Sequence, residues 1–123
     1  MKPVFQSKLY ILDASHNGNC YAACLASLLE LQLWMVPPFE EMFARGTWFA
    51  RSVEWLTRFH GLKLVRTEGH DVQNLPEFYI ANGLSPRGVH HSTIFSGGRL
   101  VHDPHPSGAG IADVEWTWHL ANI

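Results

Sequence analysis

The chain has 123 residues, 46% hydrophobic and 16% charged, with a formal net charge of −2 at pH 7. That length suits a single domain over 1–123 with one core, and that composition excludes a disordered tail. The faintly acidic balance offers no basic surface to hold a phosphate backbone, so nucleic acid is not an expected partner.

The two cysteines, Cys20 and Cys24, are too few for a secreted disulfide scaffold. The first residues, Met-Lys-Pro-Val-Phe-Gln-Ser-Lys, contain no apolar stretch of signal-peptide length, and no apolar run is long enough to span a bilayer. A cytoplasmic protein with reduced thiols and no membrane partner is the expectation. Eight histidines and five tryptophans are many for this length, and histidine is the side chain suited to proton transfer near neutral pH.

In chain order, the turn-rich Ser15-His16-Asn17-Gly18-Asn19 feeds into an Ala- and Leu-rich run from Cys20 to Leu31 without Gly or Pro. Such a run is a helix, apolar nearly all round and therefore central, with Asn17 or Asn19 as its N-cap. It must stop before Pro37-Pro38. A short helix is expected over Phe39–Ala44. A third follows over Trp48–His60, with Trp48, Ser52, Trp55, Leu56 and Phe59 on one stripe and Gly61 as its stop. Leu62–Arg66 alternates like a strand, and Thr67–Pro76 is polar loop. Phe78–Ala81 is a strand, followed by a loop from Asn82 to Gly88. His91–Phe95 and Arg99–Asp103 form a hairpin around Ser96-Gly97-Gly98. Val114–Leu120 is the last strand, with Val114, Trp116, Trp118 and Leu120 facing inward. Helices precede strands, so the class is α+β, an N-terminal helix packed on an antiparallel sheet.

Cys20 opens the first helix, where unpaired N–H groups and the partial positive charge favour a thiolate. Its own N–H is placed to help build an oxyanion hole. Cys24, one turn deeper, belongs to the core. A thiol nucleophile needs a base and a residue to orient that base, and the hairpin offers both. A three-residue loop, Ser96 to Gly98, sets His91 directly opposite Asp103 on one face. A two-residue loop at Gly97-Gly98 turns His91 to the wrong side unless a bulge compensates. His90, the neighbour of opposite parity, is the alternative base.

Asn19-Cys20-Tyr21-Ala22-Ala23-Cys24-Leu25, together with His91-Ser92-Thr93-Ile94-Phe95 and Val101-His102-Asp103-Pro104, resembles the motifs of small papain-like cysteine peptidases. The nearest likeness is to the bacteriocin-leader peptidases attached to peptide exporters. The chain also resembles small uncharacterised bacterial and phage proteins with a His-Asp-Pro-His-Pro signature. The resemblance implies a papain-like fold with Cys20 as nucleophile, His91 as general base and Asp103 as orienting residue. It implies a thiol hydrolase that cleaves a peptide, amide or isopeptide bond without a cofactor. Its partner would be a peptide or protein substrate; oligomeric state stays open. Two positions depart from the pattern. Where the family has a Gln six residues before the nucleophile this chain has Ala14, and where it has Gly after the nucleophile this chain has Tyr21. His16, Asn17 or Asn19 can replace the missing donor, Asn17 being preferred.

Three other readings compete. The same fold could be an inactive module that grips a peptide or host protein in its cleft. His90, His91, His102, Asp103 and His105, with His70 and Asp71, could hold Zn²⁺, but no HExxH or CxxC pair appears and no metal is expected. Asp103 could simply cap the turn before Pro104. Arg87, in Ser85-Pro86-Arg87-Gly88, reads either as a solvated loop residue or as a binder of a substrate carboxylate or phosphate.

Overall fold

The computed structural model describes residues 1–9, 18–44 and 46–123. Helices α1 (Cys20–Leu29), α2 (Phe39–Met42) and α3 (Trp48–His60) come first. Strands β1 (Leu62–Glu68), β2 (Tyr79–Leu84), β3 (His90–Ser96), β4 (Arg99–His102) and β5 (Trp116–Asn122) follow. The strands make one antiparallel sheet in the order β1-β5-β2-β3-β4, so the class is α+β as read from the sequence. No helix among the described residues is long and apolar enough to cross a membrane.

Helix α1 is the core element. Its apolar, small-residue surface leaves Tyr21 through Ser27 buried, with the Cys24 thiol fully enclosed. It packs with Val36, Phe39 and Leu56 against Ile80, Ile94 and Trp118 of the sheet. The helix ends two residues earlier than its composition suggests. Glu30 turns into the left-handed region at φ 57°, giving its N–H to Ala26 and Ser27. The N–H of Leu31 then returns to the Ala26 carbonyl, so the orphan carbonyls of the last turn are satisfied locally.

Helix α3 stops at Gly61, left-handed at φ 62°, as expected. Its inward stripe holds Ser52 and Leu56 with Trp48 and Trp55, but Phe59 is 67% exposed and does not belong to it. Val114 likewise departs from the expected inward set. Trp116, Trp118 and Leu120 join the helix-side core, whereas Val114 packs with Tyr79, Ala81 and Phe95 in a second, smaller cluster. The sheet thus carries apolar residues on both faces. Alternation alone could not reveal that, because it presumes a solvated outer face.

Strand β2 runs three residues beyond the expected Phe78–Ala81 and takes in Asn82-Gly83-Leu84, which reads locally as a loop. Tertiary pairing overrides the turn signal. Asn82, Gly83 and Leu84 pair with Ser92, His91 and His90, and the Asn82 amide oxygen accepts from the Ser92 hydroxyl at 2.6 Å. Gly83 is required by packing: a Cβ there would lie 2.0 Å from the carbonyl oxygen of Asp113. Gly83→Ala is therefore expected to destabilise the fold by about 2 kcal/mol or more, in the upper part of the range for overpacking. Urea unfolding monitored by tryptophan fluorescence measures this; a midpoint equal to that of the parent would contradict it.

Candidate active site

The site begins with the N-terminus of α1. Asn19 occupies the N-cap, and its carbonyl accepts the Ala23 N–H at 3.0 Å. Its side chain does not cap the helix. The amide oxygen instead accepts the N–H groups of Ser7 and Lys8 at 3.1 and 2.9 Å, and the amide nitrogen donates to Ser7 Oγ. The N-terminal segment is thereby strapped beside Cys20, and Gln6 and Leu9 enter the wall of a cleft of about 420 Å³. Cys20 lines this cleft and is part-exposed, whereas Cys24 is buried.

The β3–β4 hairpin brings His91 to Asp103, though not in the register expected. The loop has two residues, Gly97 and Gly98, both with positive φ (59° and 84°), so Phe95 pairs with Leu100 rather than Arg99. Two left-handed residues in succession make the tight turn whose twist matches antiparallel strands. Left alone, this register would turn His91 away from Asp103. Between Phe95↔Leu100 and Ile94↔His102, however, Val101 is an extra residue, a β-bulge. The bulge shifts the parity of everything beyond it and returns Asp103 to the face of His91, as a diagonal neighbour instead of a direct one.

His91 Nε2 lies 2.6 Å from Asp103 Oδ1, with the two side chains 4% and 1% exposed. Asp103 Oδ1 also accepts the His105 N–H at 2.9 Å, and Oδ2 accepts the Gly110 N–H at 2.8 Å. Asp103 therefore both caps the turn after Pro104 and orients His91. Burial pushes the Asp103 carboxyl up. The hydrogen bond from His91 and the two backbone N–H groups outweigh that and hold it at about 2. Hydrogen bonds to a charged group are worth about 1.5–3 kcal/mol each, enough for three to offset desolvation. An ionised Asp103 makes Nε2 the donor, which leaves Nδ1 for Cys20. Burial lowers the His91 pKa, but the hydrogen bonds with Asp103 and Cys20 and the negative charge of both raise it from 6.5 to about 9.

The remaining candidates fall into place around this pair. Arg87 and His105 line the cleft and both reach Ser107. Arg87 Nη1 donates to Ser107 Oγ at 3.4 Å, and His105 Nδ1 lies 2.8 Å from the same oxygen. His90 also lines the cleft but bonds Glu115 at 3.2 Å, so it is not the partner of Asp103. His102 donates to the Val4 carbonyl and His70 pairs with the Tyr79 hydroxyl. Among the described residues no three His, Cys, Asp or Glu side chains converge as a metal site. Ala14, His16 and Asn17, the last being the preferred second oxyanion donor, lie outside the described residues.

Tyr21 does not obstruct the cleft by projecting into it. Its ring is 2% exposed among Trp48, Phe49 and Trp118, and its hydroxyl bonds Ser52 Oγ at 2.8 Å. Several cleft residues escaped the sequence reading. Trp116 and Trp118 read as core by alternation, yet both line the cleft, and neither indole N–H has an acceptor among the described residues. Asn82 reads locally as a loop residue, yet it too lines the cleft. Glu40 and Gln6 carry no local signal at all. Gln6 Nε2 donates to the Lys8 carbonyl at 2.8 Å.

No family model, curated protein or solved structure matches this chain.

The two shifted pKa values fix how stability depends on pH. The raised His91 pKa stabilises the fold fully below 6.5, and this is lost as pH climbs through about 9. The lowered Asp103 pKa stabilises fully above 3.8, and this is lost as pH falls through about 2. The pair thus contributes in full between these limits, in mildly acidic solution. Asp103→Asn should cost most stability near pH 5, and the gap to the parent should narrow steadily from pH 6.5 to 9. Urea titrations across that range measure it, and a gap independent of pH would contradict the assignment.

Proposed function

We propose that this protein is a small papain-like thiol hydrolase acting on a peptide, amide or isopeptide bond. The observation that carries this reading is the buried 2.6 Å contact of His91 Nε2 with Asp103, which leaves Nδ1 toward Cys20 at the start of α1. Those are the three residues that the resemblance to papain-like peptidases singles out, in the same roles.

The chemistry follows from the geometry. The Cys20 sulfur attacks the substrate carbonyl carbon, with the imidazolium of His91 beside it. The oxyanion is met by the N–H of Cys20 in the first helical turn, where partial positive charge is concentrated. His91 Nδ1 then gives its proton to the leaving nitrogen, and the C–N bond breaks to leave a thioester. Water, losing its proton to Nδ1, releases the acid and regenerates the thiol pair. Asp103 holds the ring and stabilises its charge without itself taking the proton.

One observation favours a second reading, a cleft that grips a peptide without cleaving it. The Gln6 amide, a donor on the cleft lining, has one of its two N–H groups committed to the Lys8 carbonyl. Thiol reactivity separates the two readings. Iodoacetamide labelling of Cys20 at pH 6, followed by mass spectrometry, should proceed readily in the parent protein. His91→Ala should slow it at least about tenfold at pH 6, since the imidazolium that favours the thiolate is gone. Labelling at pH 6 that is equally fast in the parent and in His91→Ala would remove the hydrolase reading.

A further inference from the structure

Two short loops meet at the wall of the cleft. One joins β2 to β3. There the Gly88 N–H bonds the Ser85 carbonyl at 2.9 Å, and the N–H and hydroxyl of Ser85 both bond the Val89 carbonyl, at 2.9 and 3.0 Å. Gly88 stands at φ 82°, which only glycine adopts at no steric cost. Arg87 thus projects from a closed turn. The other loop follows β4. The His105 N–H bonds Asp103 at 2.9 Å, the His105 carbonyl accepts the Gly108 N–H at 3.1 Å, and His105 Nδ1 accepts the Ser107 N–H at 3.0 Å. The loops touch at Ser107, whose Oγ lies 3.4 Å from Arg87 Nη1 and 2.8 Å from His105 Nδ1. Arg87 and His105 both line the cleft, and the His105 ring centroid is 6.1 Å from that of His91.

This junction collects donors and no anion. A guanidinium has five N–H donors. Arg87 uses one of them on a neutral hydroxyl, and among the described residues no carboxylate pairs with it. Burial and the positive charge of Arg87 hold the His105 pKa below the ordinary histidine value, against the pull of Asp103. Its Nδ1 is an acceptor, so the proton of the neutral ring sits on Nε2. That N–H has no acceptor among the described residues and adds a second donor beside the guanidinium.

We propose that Arg87 and His105 form a subsite for the C-terminal carboxylate of the substrate, which places the last peptide bond of that substrate at Cys20. This deepens the proposed function; the bond cut rests on that reading, whereas the binding does not. One fixed positive charge and one neutral donor match a singly charged, planar carboxylate. A phosphate monoester carries nearly two negative charges at neutral pH, and the second would stand unmatched near the ionised Asp103. The direction of the substrate follows from His91. The leaving nitrogen is the atom that receives the His91 proton, so the residue beyond it lies toward what packs on that ring, which includes His105. Two bonds, about 2.5 Å of chain, separate that nitrogen from the carboxylate carbon of a terminal residue, a short reach that suits donors on the neighbouring ring. The C–N bond that breaks then releases one free amino acid, and water completes the shortened chain with a new carboxylate.

The test separates binding from cleavage. Binding is measured on Cys20→Ala, which cannot turn the probe over. The probes are two pools of N-acetylated tripeptides of the same randomised composition, one ending in a free carboxylate and the other in a carboxamide. Binding is followed through the Arg87 Nε–H and His105 Nε2–H resonances. The acid pool should bind at least about tenfold tighter, as expected when a charge-assisted hydrogen bond of about 1.5–3 kcal/mol is gained. Arg87→Gln should abolish the preference. In the unsubstituted Arg87 background, the preference should also shrink as sodium chloride is raised, a readout that stands even if Arg87→Gln folds poorly. The parent protein should release single amino acids from the acid pool, read by mass spectrometry. Equal affinity for the two pools, a preference that survives Arg87→Gln, no binding by either pool, or equal internal cleavage of both would each overturn the proposal. An acid preference lost in Arg87→Gln, in a protein that cleaves neither pool, would uphold the subsite and count against the hydrolase alone.

Discussion

One buried hydrogen bond organises this molecule. His91 and Asp103 are almost wholly removed from water, and charges so placed are costly unless every lone pair is matched. Asp103 is matched by the ring of His91 and by the N–H groups of His105 and Gly110. Each of those donors imposes a condition on the chain. The loop after Pro104 must fold back so that Gly110, at φ 73°, presents its N–H. The hairpin must insert Val101 as a bulge, or the carboxylate would point to the other face. The sheet edge is thus shaped around the pair.

The second constraint is the placement of α1. Its buried length fixes it against β3 and the sheet centre, which sets Cys20 at the mouth of the cleft and Cys24 out of reach. Asn19 does not spend its side chain on the helix. It ties down Ser7 and Lys8, and the same segment is held at its other end by His102 and by Pro104, whose carbonyl accepts the Gln6 N–H. The N-terminal strap therefore spans from α1 to the strand end that carries Asp103. Tyr21 fills the space between α1 and α3 and becomes part of the cleft wall. The bulky ring after Cys20 is accommodated by α3, whose Ser52 bonds its hydroxyl.

Much of this was legible in the residues. Composition and spacing sufficed for the helix at Cys20, the stop at Gly61, the hairpin at Gly97-Gly98 and the α+β class. The pairing of His91 with Asp103 was reached through the wrong loop. Two glycines permit either a two- or a three-residue turn, and a bulge at Val101 leaves no mark in a β-branched, strand-like residue. Asn82-Gly83 read as a turn because its local chemistry is that of a turn; only its partners Ser92 and His91 and the close carbonyl of Asp113 make it strand. Glu40 and Gln6 reach the cleft from elements whose packing is set by residues far away in sequence, so no local pattern could announce them. Trp116 and Trp118 sit where core and cleft share one wall, and periodicity cannot tell the two apart.

The central claim is that His91 is held as an imidazolium between Asp103 and Cys20. Its ring can be watched directly by nitrogen-15 NMR of histidine-labelled protein through a pH titration. The account predicts a midpoint near 9, with Nε2 protonated throughout, falling toward the ordinary histidine value in both Asp103→Asn and Cys20→Ala. A midpoint near 6.5 that neither substitution moves would contradict it.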